Sequence, residues 1–332
     1  MARKTNRREF VQVAGLAAAS GLMAVAQPLA AAARAPQTRP AARTMGALFR
    51  ALMNAPDPLI CPGAYDVLTA RLIQVHAFKA VFVGSSAPNQ ELVALPDQAV
   101  VTVSEIIEYN SVIAANVDIP ILADVDDFGA TPLNVYRFAK QAERAGIGCA
   151  AFDDRMPLNR ATAYSVPGVV SKARMIDNIH AAADARTDMV LIARCRAPAP
   201  NGSYAEMLDR ATAYAEAGAD AVWIGLRTAQ DYVKAADMIK KPLMAVIGNA
   251  NVPATVAAMK AARITVGQSA SMVNIALGAV DKALTELKAT GRMTEAQKGA
   301  LSEEISGKVE QVDELNTRSR KYNLPRASAP ER

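Results

Sequence analysis

Eight short apolar runs, separated by amphipathic stretches, constrain this chain more than any other feature. They are LICPG (59–63), AVFVG (80–84), IPILAD (119–124), CAAFD (149–153), MVLIAR (189–194), AVWIG (221–225), PLMAVI (242–247) and ITVGQ (264–268). These runs are continuously apolar rather than alternating, so each reads as a strand buried on both faces, the pattern of a parallel sheet covered by helices. Between them SEIIEYNSVIAAN, LNVYRFAKQAERAG, YAEMLDRATAYAEAG and TAQDYVKAADMIKK place apolar residues three and four apart, with glycine near several ends. Eight strand-then-helix units of about thirty residues predict a (β/α)8 barrel of TIM type over residues 45–322. A doubly wound open sheet is the alternative for the same units. With 332 residues, 51% of them apolar, the chain can bury a core of that size.

The N-terminus follows other rules. NRREFVQ (6–12) precedes the apolar stretch 13–30 and the small-residue run AAAARA (30–35). A charged head, an apolar stretch too weak and interrupted to span a bilayer, and a peptidase-type site predict an export signal over 1–33. Arg7 and Arg8 with Phe10 resemble a twin-arginine signal. Residues 34–44 read as a proline-containing linker and 323–332 as a tail. Export to the periplasm follows, with no stable membrane anchor after processing. The leader accounts for three of the five net positive charges, so the mature chain is near neutral. No later Lys/Arg cluster is interleaved with aromatics, which argues against a nucleic-acid partner. Cys61, Cys149 and Cys195 are widely spaced in apolar sequence and read as buried thiols rather than a disulfide framework. The two histidines, His76 and His180, both fall on predicted helices, which disfavours a zinc or iron centre built on imidazole.

In a barrel of this type the C-terminal strand ends face the active-site mouth. Those ends carry Gly63 and Asp66, then Gly84, Ser85 and Ser86, then Asp124 and Asp126, then Asp153 and Asp154, and finally Arg194 on the fifth strand. On an extended backbone Asp124 and Asp126 share a side, about 6 to 7 Å apart. Two acids so placed suit one hydrated Mg2+ or Mn2+, which turns their mutual repulsion into shared attraction. The plainer alternative for this stretch is a turn through Asp126, Asp127 and Gly129, with Asp127 capping the next helix. Arg194 is either a carboxylate-binding guanidinium or a structural ion pair with a barrel acid.

CPGAYDVLTARL, AVFVG, LPD (95–97), ILADVD, LNVYRFAKQAERAG, LIAR and RATAYAEAGAD occur in an order that resembles the isocitrate lyase/phosphoenolpyruvate mutase superfamily, over about 45–290. The resemblance implies Mg2+ bound by Asp124 and Asp126, assisted by Asp97 and by Asp153 where the family has a glutamate. It implies a 2-oxo acid whose carboxylate is held by backbone amides of Gly84, Ser85 and Ser86 and by Arg194. It also implies a helix-swapped homo-oligomer, a dimer or tetramer. Bond cleavage beside a 2-oxo acid leaves charge on an enolate oxygen, which a chelated cation stabilises more in the transition state than in the ground state.

The chain departs from the lyases of that family at the loop after strand four. RMPLNRATAYSVPG has Ala161 and Ala163 at the positions of the family's acid/base cysteine and its histidine. Gly225 replaces a glutamate after strand six and Val246 an asparagine after strand seven. These losses argue against isocitrate or methylisocitrate cleavage, because acid/base assistance is worth about two to four orders of magnitude in rate. Three readings remain: a lyase on a smaller 2-oxo or 2-hydroxy carboxylate with Asn159, Arg160 and Tyr164 as lid candidates, a phosphonopyruvate-type mutase or hydrolase, and a non-catalytic carboxylate binder.

Overall fold

The computed structural model describes residues 44–98, 100–129, 131–156, 168–196, 203–248, 252 and 254–323. The predicted leader 1–33, the linker apart from Thr44, and the tail apart from Asn323 lie outside the described residues. So do the lid candidates Asn159, Arg160 and Tyr164.

Eight parallel strands close into a barrel in chain order: β1 Leu59–Ala64, β2 Val81–Val83, β3 Ile121–Asp124, β4 Cys149–Asp153, β5 Val190–Cys195, β6 Ala221–Ile224, β7 Leu243–Val246 and β8 Val266–Ser271. The (β/α)8 expectation therefore holds and the open sheet does not, because β8 pairs with both β7 and β1. The last strand runs from 266 to 271 rather than over 264–268.

The helices are α1 Met45–Met53, α2 Val67–Val75, α3 Ser86–Val93, α4 Val103–Ala114, α5 Pro132–Arg144, α6 Lys172–Ala185, α7 Tyr204–Glu216, α8 Ala229–Ile239 and α9 Val256–Ala261, then α10 Val273–Thr290, α11 Thr294–Gln297, α12 Glu303–Val309 and α13 Val312–Lys321. Most begin where a short polar side chain satisfies an otherwise orphaned N–H. Asp66 caps α2, Thr102 forms a capping box with Glu105 on α4, and Thr131 caps α5 ahead of Pro132. Gly291, with φ +70°, ends α10 in the left-handed conformation.

Two apolar clusters hold the barrel. One lies between sheet and helices and includes Ile106, Phe128, Phe152, Met175 and Tyr232. The other fills the barrel itself with Leu59, Cys61, Phe82, Leu122, Cys149, Ala151, Ile192, Trp223, Met244 and Val266. All three cysteines are buried thiols, as their apolar setting predicts.

Helix α1 closes the N-terminal end of the barrel. It approaches so closely that a Cβ on Gly46 would sit 2.5 Å from the Asp188 carbonyl oxygen. Beneath it Asp220 accepts from Arg50 at 2.6 Å, from Arg186, and from the Leu191 N–H at 2.9 Å. At the other end of the chain, α12 folds back on α2, where Arg71 donates to the Val309 carbonyl at 3.2 Å.

Candidate active site

The side-chain period of two explains how the mouth is furnished. The residues filling the barrel include Cys61, Phe82, Leu122, Ala151, Ile192, Trp223, Met244 and Val266. Two residues further along each strand come Gly63, Gly84, Asp124, Asp153, Arg194, Gly225, Val246 and Gln268. On β1 this step crosses a register shift between Cys61 and Gly63. Charge is thus confined to β3, β4 and β5, and β8 adds one neutral amide.

Asp124 ends β3 and is 4% exposed. Its Oδ2 accepts from Arg194 Nη1 at 2.8 Å. Burial pushes the Asp124 carboxyl up, Arg194 and Arg196 pull it down, and Asp153 and Asp97 push it up again, so that it stands above its ordinary value. The Arg194 guanidinium lies 3.5 Å from the Trp223 ring centroid, a stacked cation–π contact that fixes its plane. Burial brings Arg194 down to about 10 against the pull of Asp124. Arg194 is therefore ion-paired to a barrel acid, and the same fork presents flat, carboxylate-matching donors at the mouth.

Asp153 is held differently. Its Oδ2 accepts from Arg196 Nε at 2.9 Å and lies 3.7 Å from Arg155 Nε, and its Oδ1 accepts from the Arg155 N–H at 3.2 Å. Burial alone would raise its carboxyl, but Arg196, Arg155 and Arg194 outweigh burial and hold it below the usual range. The adjacent Asp154, wholly buried, points toward the helical layer. It accepts from the Tyr214 hydroxyl at 2.8 Å and from the Arg196 N–H at 2.8 Å, and burial leaves it raised despite both.

Asp126 corrects the extended-backbone expectation. The strand stops at Asp124, and Asp126 adopts φ +57°, a left-handed turn in which its carbonyl accepts from the Asp153 N–H at 2.6 Å. Successive acids therefore do not alternate along a strand. Asp126 is buried beside β4, and its N–H donates to Asp124 Oδ1 at 3.4 Å. Asp127 forms the predicted turn, its Oδ1 accepting from the Gly129 N–H at 2.7 Å, but Thr131 rather than Asp127 caps the next helix.

The loop after β2 carries Gly84, Ser85 and Ser86 into α3. The Gly84 carbonyl accepts from Ala87 N–H at 3.0 Å, and the buried Ser85 hydroxyl donates to Asp97 Oδ2 at 3.0 Å. Asn89 approaches the other Asp97 oxygen at 3.4 Å and donates to the Ser85 carbonyl at 2.9 Å. Asp97 is thus tied to the loop and contributes to the field at Asp124.

The donors at the mouth are carboxylates, without imidazole or thiolate, which suits a hard cation such as Mg2+. Among the described residues no three His, Cys, Asp or Glu side chains form a closed metal cage. Mg2+ ordinarily takes one or two carboxylates with water and substrate oxygens completing its shell, so the donor set fits. Cavities of about 600 and 490 Å3 lie at the opposite, N-terminal end of the barrel around Pro58, Pro242 and Thr265 and around Gly46 and Ile147, away from these acids.

Arg155, Arg196, Trp223 and Gln268 were not anticipated as site residues. Arg196 and Gln268 had a readable signal, since each lies two residues beyond an inward position on its strand. The pairing of Arg196 with Asp153, 43 residues away, had none.

A closed (β/α)8 barrel with acids and a stacked arginine at its C-terminal mouth defines the class: a barrel enzyme acting on a small anionic substrate at its strand ends. Residues 49–288 match the family model described as phosphoenolpyruvate phosphomutase. The chain belongs to this family, within the isocitrate lyase/PEP mutase superfamily, and is an enzyme of its lyase/mutase type. It is 30% identical over 284 residues to probable 2-methylisocitrate lyase 2 of Corynebacterium glutamicum, covering 84% of this chain and 87% of that one. It is 33% identical over 204 residues to 2-methylisocitrate lyase of Salmonella typhimurium, covering 60% and 69%. The fold matches oxaloacetate acetylhydrolase bound to 3,3-difluorooxalacetate with TM-score 0.77 at 24% identity, over 86% of this chain and 99% of that one. Phosphonopyruvate hydrolase with oxalate and Mg2+ matches with TM-score 0.73 at 24% identity, over 84% and 99%.

Proposed function

We propose that the chain is a Mg2+-dependent lyase that cleaves a C–C bond next to a 2-oxo or 2-hydroxy carboxylate smaller than isocitrate. The observation that carries this reading is the juxtaposition of Asp124 with Arg194, itself stacked on Trp223, beside an ionised Asp153. Relatives named 2,3-dimethylmalate lyase and oxaloacetate decarboxylase act, by their names, on substrates of the proposed size.

Asp124, Asp126 and Asp153 would hold the cation, with Asp97 behind them. Bound there, Mg2+ supplies charge stabilisation to the enolate oxygen that develops during cleavage. Arg194 orients the substrate carboxylate, and the backbone amides around Gly84 to Ser86 receive its other oxygen. Arg196 and Arg155 keep Asp153 deprotonated, which a ligand of a hard cation requires. Proton transfer falls to the segment containing Asn159, Arg160 and Tyr164, with the tyrosine hydroxyl the strongest candidate for holding the proton.

Two further parts of the reading concern assembly and address. Helix α10 exposes Leu277, Val280, Leu284 and Leu287 at helical spacing, and Ile275 is 77% exposed, a stripe that suits packing against a second copy in a dimer or tetramer. Arg7, Arg8 and the apolar run behind them support twin-arginine export to the periplasm.

The test is turnover of a panel of 2-oxo and 2-hydroxy acids with Mg2+ or Mn2+, following pyruvate or the other keto product. Metal-dependent product formation abolished by excess chelator is expected. Undiminished turnover in chelator, or saturable binding of every acid without product, contradicts the reading.

A further inference from the structure

Two tyrosines in the helical layer, Tyr214 on α7 and Tyr232 on α8, are buried and aim their hydroxyls at strand ends. The Tyr232 hydroxyl donates to the Ile224 carbonyl at 3.0 Å and accepts from the Leu226 N–H at 3.2 Å. It thereby closes the turn through Gly225, in a sector of the mouth without charge. Tyr214 instead donates to a carboxylate, Asp154 Oδ2, at 2.8 Å.

Asp154 ties several chain segments together. Its Oδ1 accepts from the Arg196 N–H at 2.8 Å, and its own N–H donates to the Arg194 carbonyl at 3.2 Å, so the exits of β4 and β5 are joined. Its carbonyl accepts from the Val170 N–H at 2.8 Å, just ahead of α6. Arg210, one turn before Tyr214, donates to the Val170 carbonyl at 2.8 Å and approaches the Tyr214 hydroxyl at 3.4 Å. With its backbone held in this way, Arg196 reaches Asp153 Oδ2 with Nε at 2.9 Å. A continuous path of hydrogen bonds therefore runs from α7 to the acid at the end of β4. Phenylalanine would fill the same space at position 214. A hydroxyl in a dry layer costs free energy unless paired, so what this one adds to packing is direction.

We propose that Tyr214 is a positioning residue of the active site: its hydroxyl fixes Asp154, Asp154 fixes the Arg196 backbone, and Arg196 orients Asp153 toward a bound cation. This rests on the reading of Asp153 as a residue that would hold the cation. Tyr214 itself touches neither ion nor substrate. Outer partners of this kind orient metal ligands and set metal affinity. Tyr214→Phe changes no charge, so the attraction of the mouth for a cation is unaltered and only the orientation of Asp153 is released.

The test titrates Mn2+ into the substrate-free full chain, following free Mn2+ by electron paramagnetic resonance. Quenching of Trp223, the single tryptophan and the residue under Arg194, places the ion at the mouth. Tyr214→Phe is expected to weaken Mn2+ binding about tenfold, the lower end of what losing an outer partner of a metal ligand costs. Tyr232→Phe is the control. It also loses a buried hydroxyl with two partners and should melt below wild type, yet it is expected to keep wild-type Mn2+ affinity. Wild-type affinity in Tyr214→Phe, or equal weakening in both variants, overturns the assignment and leaves the cation reading intact. A wild type that binds no Mn2+, or binds it without quenching Trp223, overturns both. Should Tyr214→Phe be unfolded at the temperature of titration, Arg210→Lys serves as the second variant, keeping the charge and losing the guanidinium fork, with the same weakening required.

Discussion

Replacing Asp124 by asparagine removes one charge from a buried ion pair without changing its shape, and the structure fixes the sign of the outcome. Burial outweighs Arg194 at this carboxyl, so its folded value is raised. The folded state then favours the neutral form: the associated stability is present at low pH and is lost as pH rises through the raised value. At neutral pH the charge costs stability, and asparagine resembles the favoured neutral form while still accepting from Arg194. The metal-free variant should therefore stay within about 1 kcal/mol of wild type, or about 2 °C for a chain of this size. Asp220→Asn is the contrasting case. Burial is outweighed there by Arg50, Arg186 and the Leu191 N–H, and the folded value is lowered. Removing one partner of such a pair costs about 3–5 kcal/mol when fully buried. Arg50 is 38% exposed, so about 2–4 kcal/mol and a fall of about 4–8 °C are expected after screening. Calorimetry of both variants in chelator at pH 7 decides. Equal loss of Tm in the two would refute the distinction between an ion pair kept for function and one kept for the fold.

Arg194→Lys loses both the planar fork and the stack on Trp223; a charged hydrogen bond of about 1.5–3 kcal/mol with up to about 2 kcal/mol of cation–π energy predicts a fall of about 10²- to 10³-fold in kcat/KM, chiefly in KM. An unchanged KM would remove Arg194 from carboxylate binding. Gly46→Ala forces a methyl to within 2.5 Å of the Asp188 carbonyl and should lower stability by about 1–3 kcal/mol in urea titration; wild-type stability would show that α1 shifts freely. Asp220 and Glu143 both have lowered folded values. For Glu143 burial is outweighed by the Asp188, Met189 and Thr187 N–H groups. Their stability is present above the ordinary carboxylate range near about 4 and is lost as pH falls through the lowered values. Asp220→Asn should accordingly flatten the loss of urea resistance between pH 5 and 3, and an unchanged slope would contradict this.

The barrel was legible because most strands are runs of apolar residues buried on both faces, β8 (VGQSAS) being the exception, and CAAFD marks β4 to the residue. The charged sector was legible for the same reason: Asp124, Asp153 and Arg194 end their runs. The path of the chain past a strand end was not. DVDDFG looks extended by alternation, yet Asp126 turns left-handed where its carbonyl meets the Asp153 N–H, a partner supplied by another strand. The roles of Arg196 and Arg155 were hidden likewise, because spacing within a segment does not show which guanidinium reaches which acid. Gln268 ends the run ITVGQ and so carried the same signal, but as an uncharged amide it did not stand out among the charged strand ends, and β8 itself continues to Ser271.

The central claim is that one divalent cation and one small 2-oxo carboxylate meet between Asp124, Asp153 and Arg194. Crystals grown with Mn2+ and oxalate test it through the anomalous signal of manganese. The account predicts a single strong peak at the C-terminal mouth, with an Asp124 oxygen bound directly or through one water and oxalate bridging the ion to Arg194. Manganese found only elsewhere, or oxalate bound away from Arg194, would contradict it.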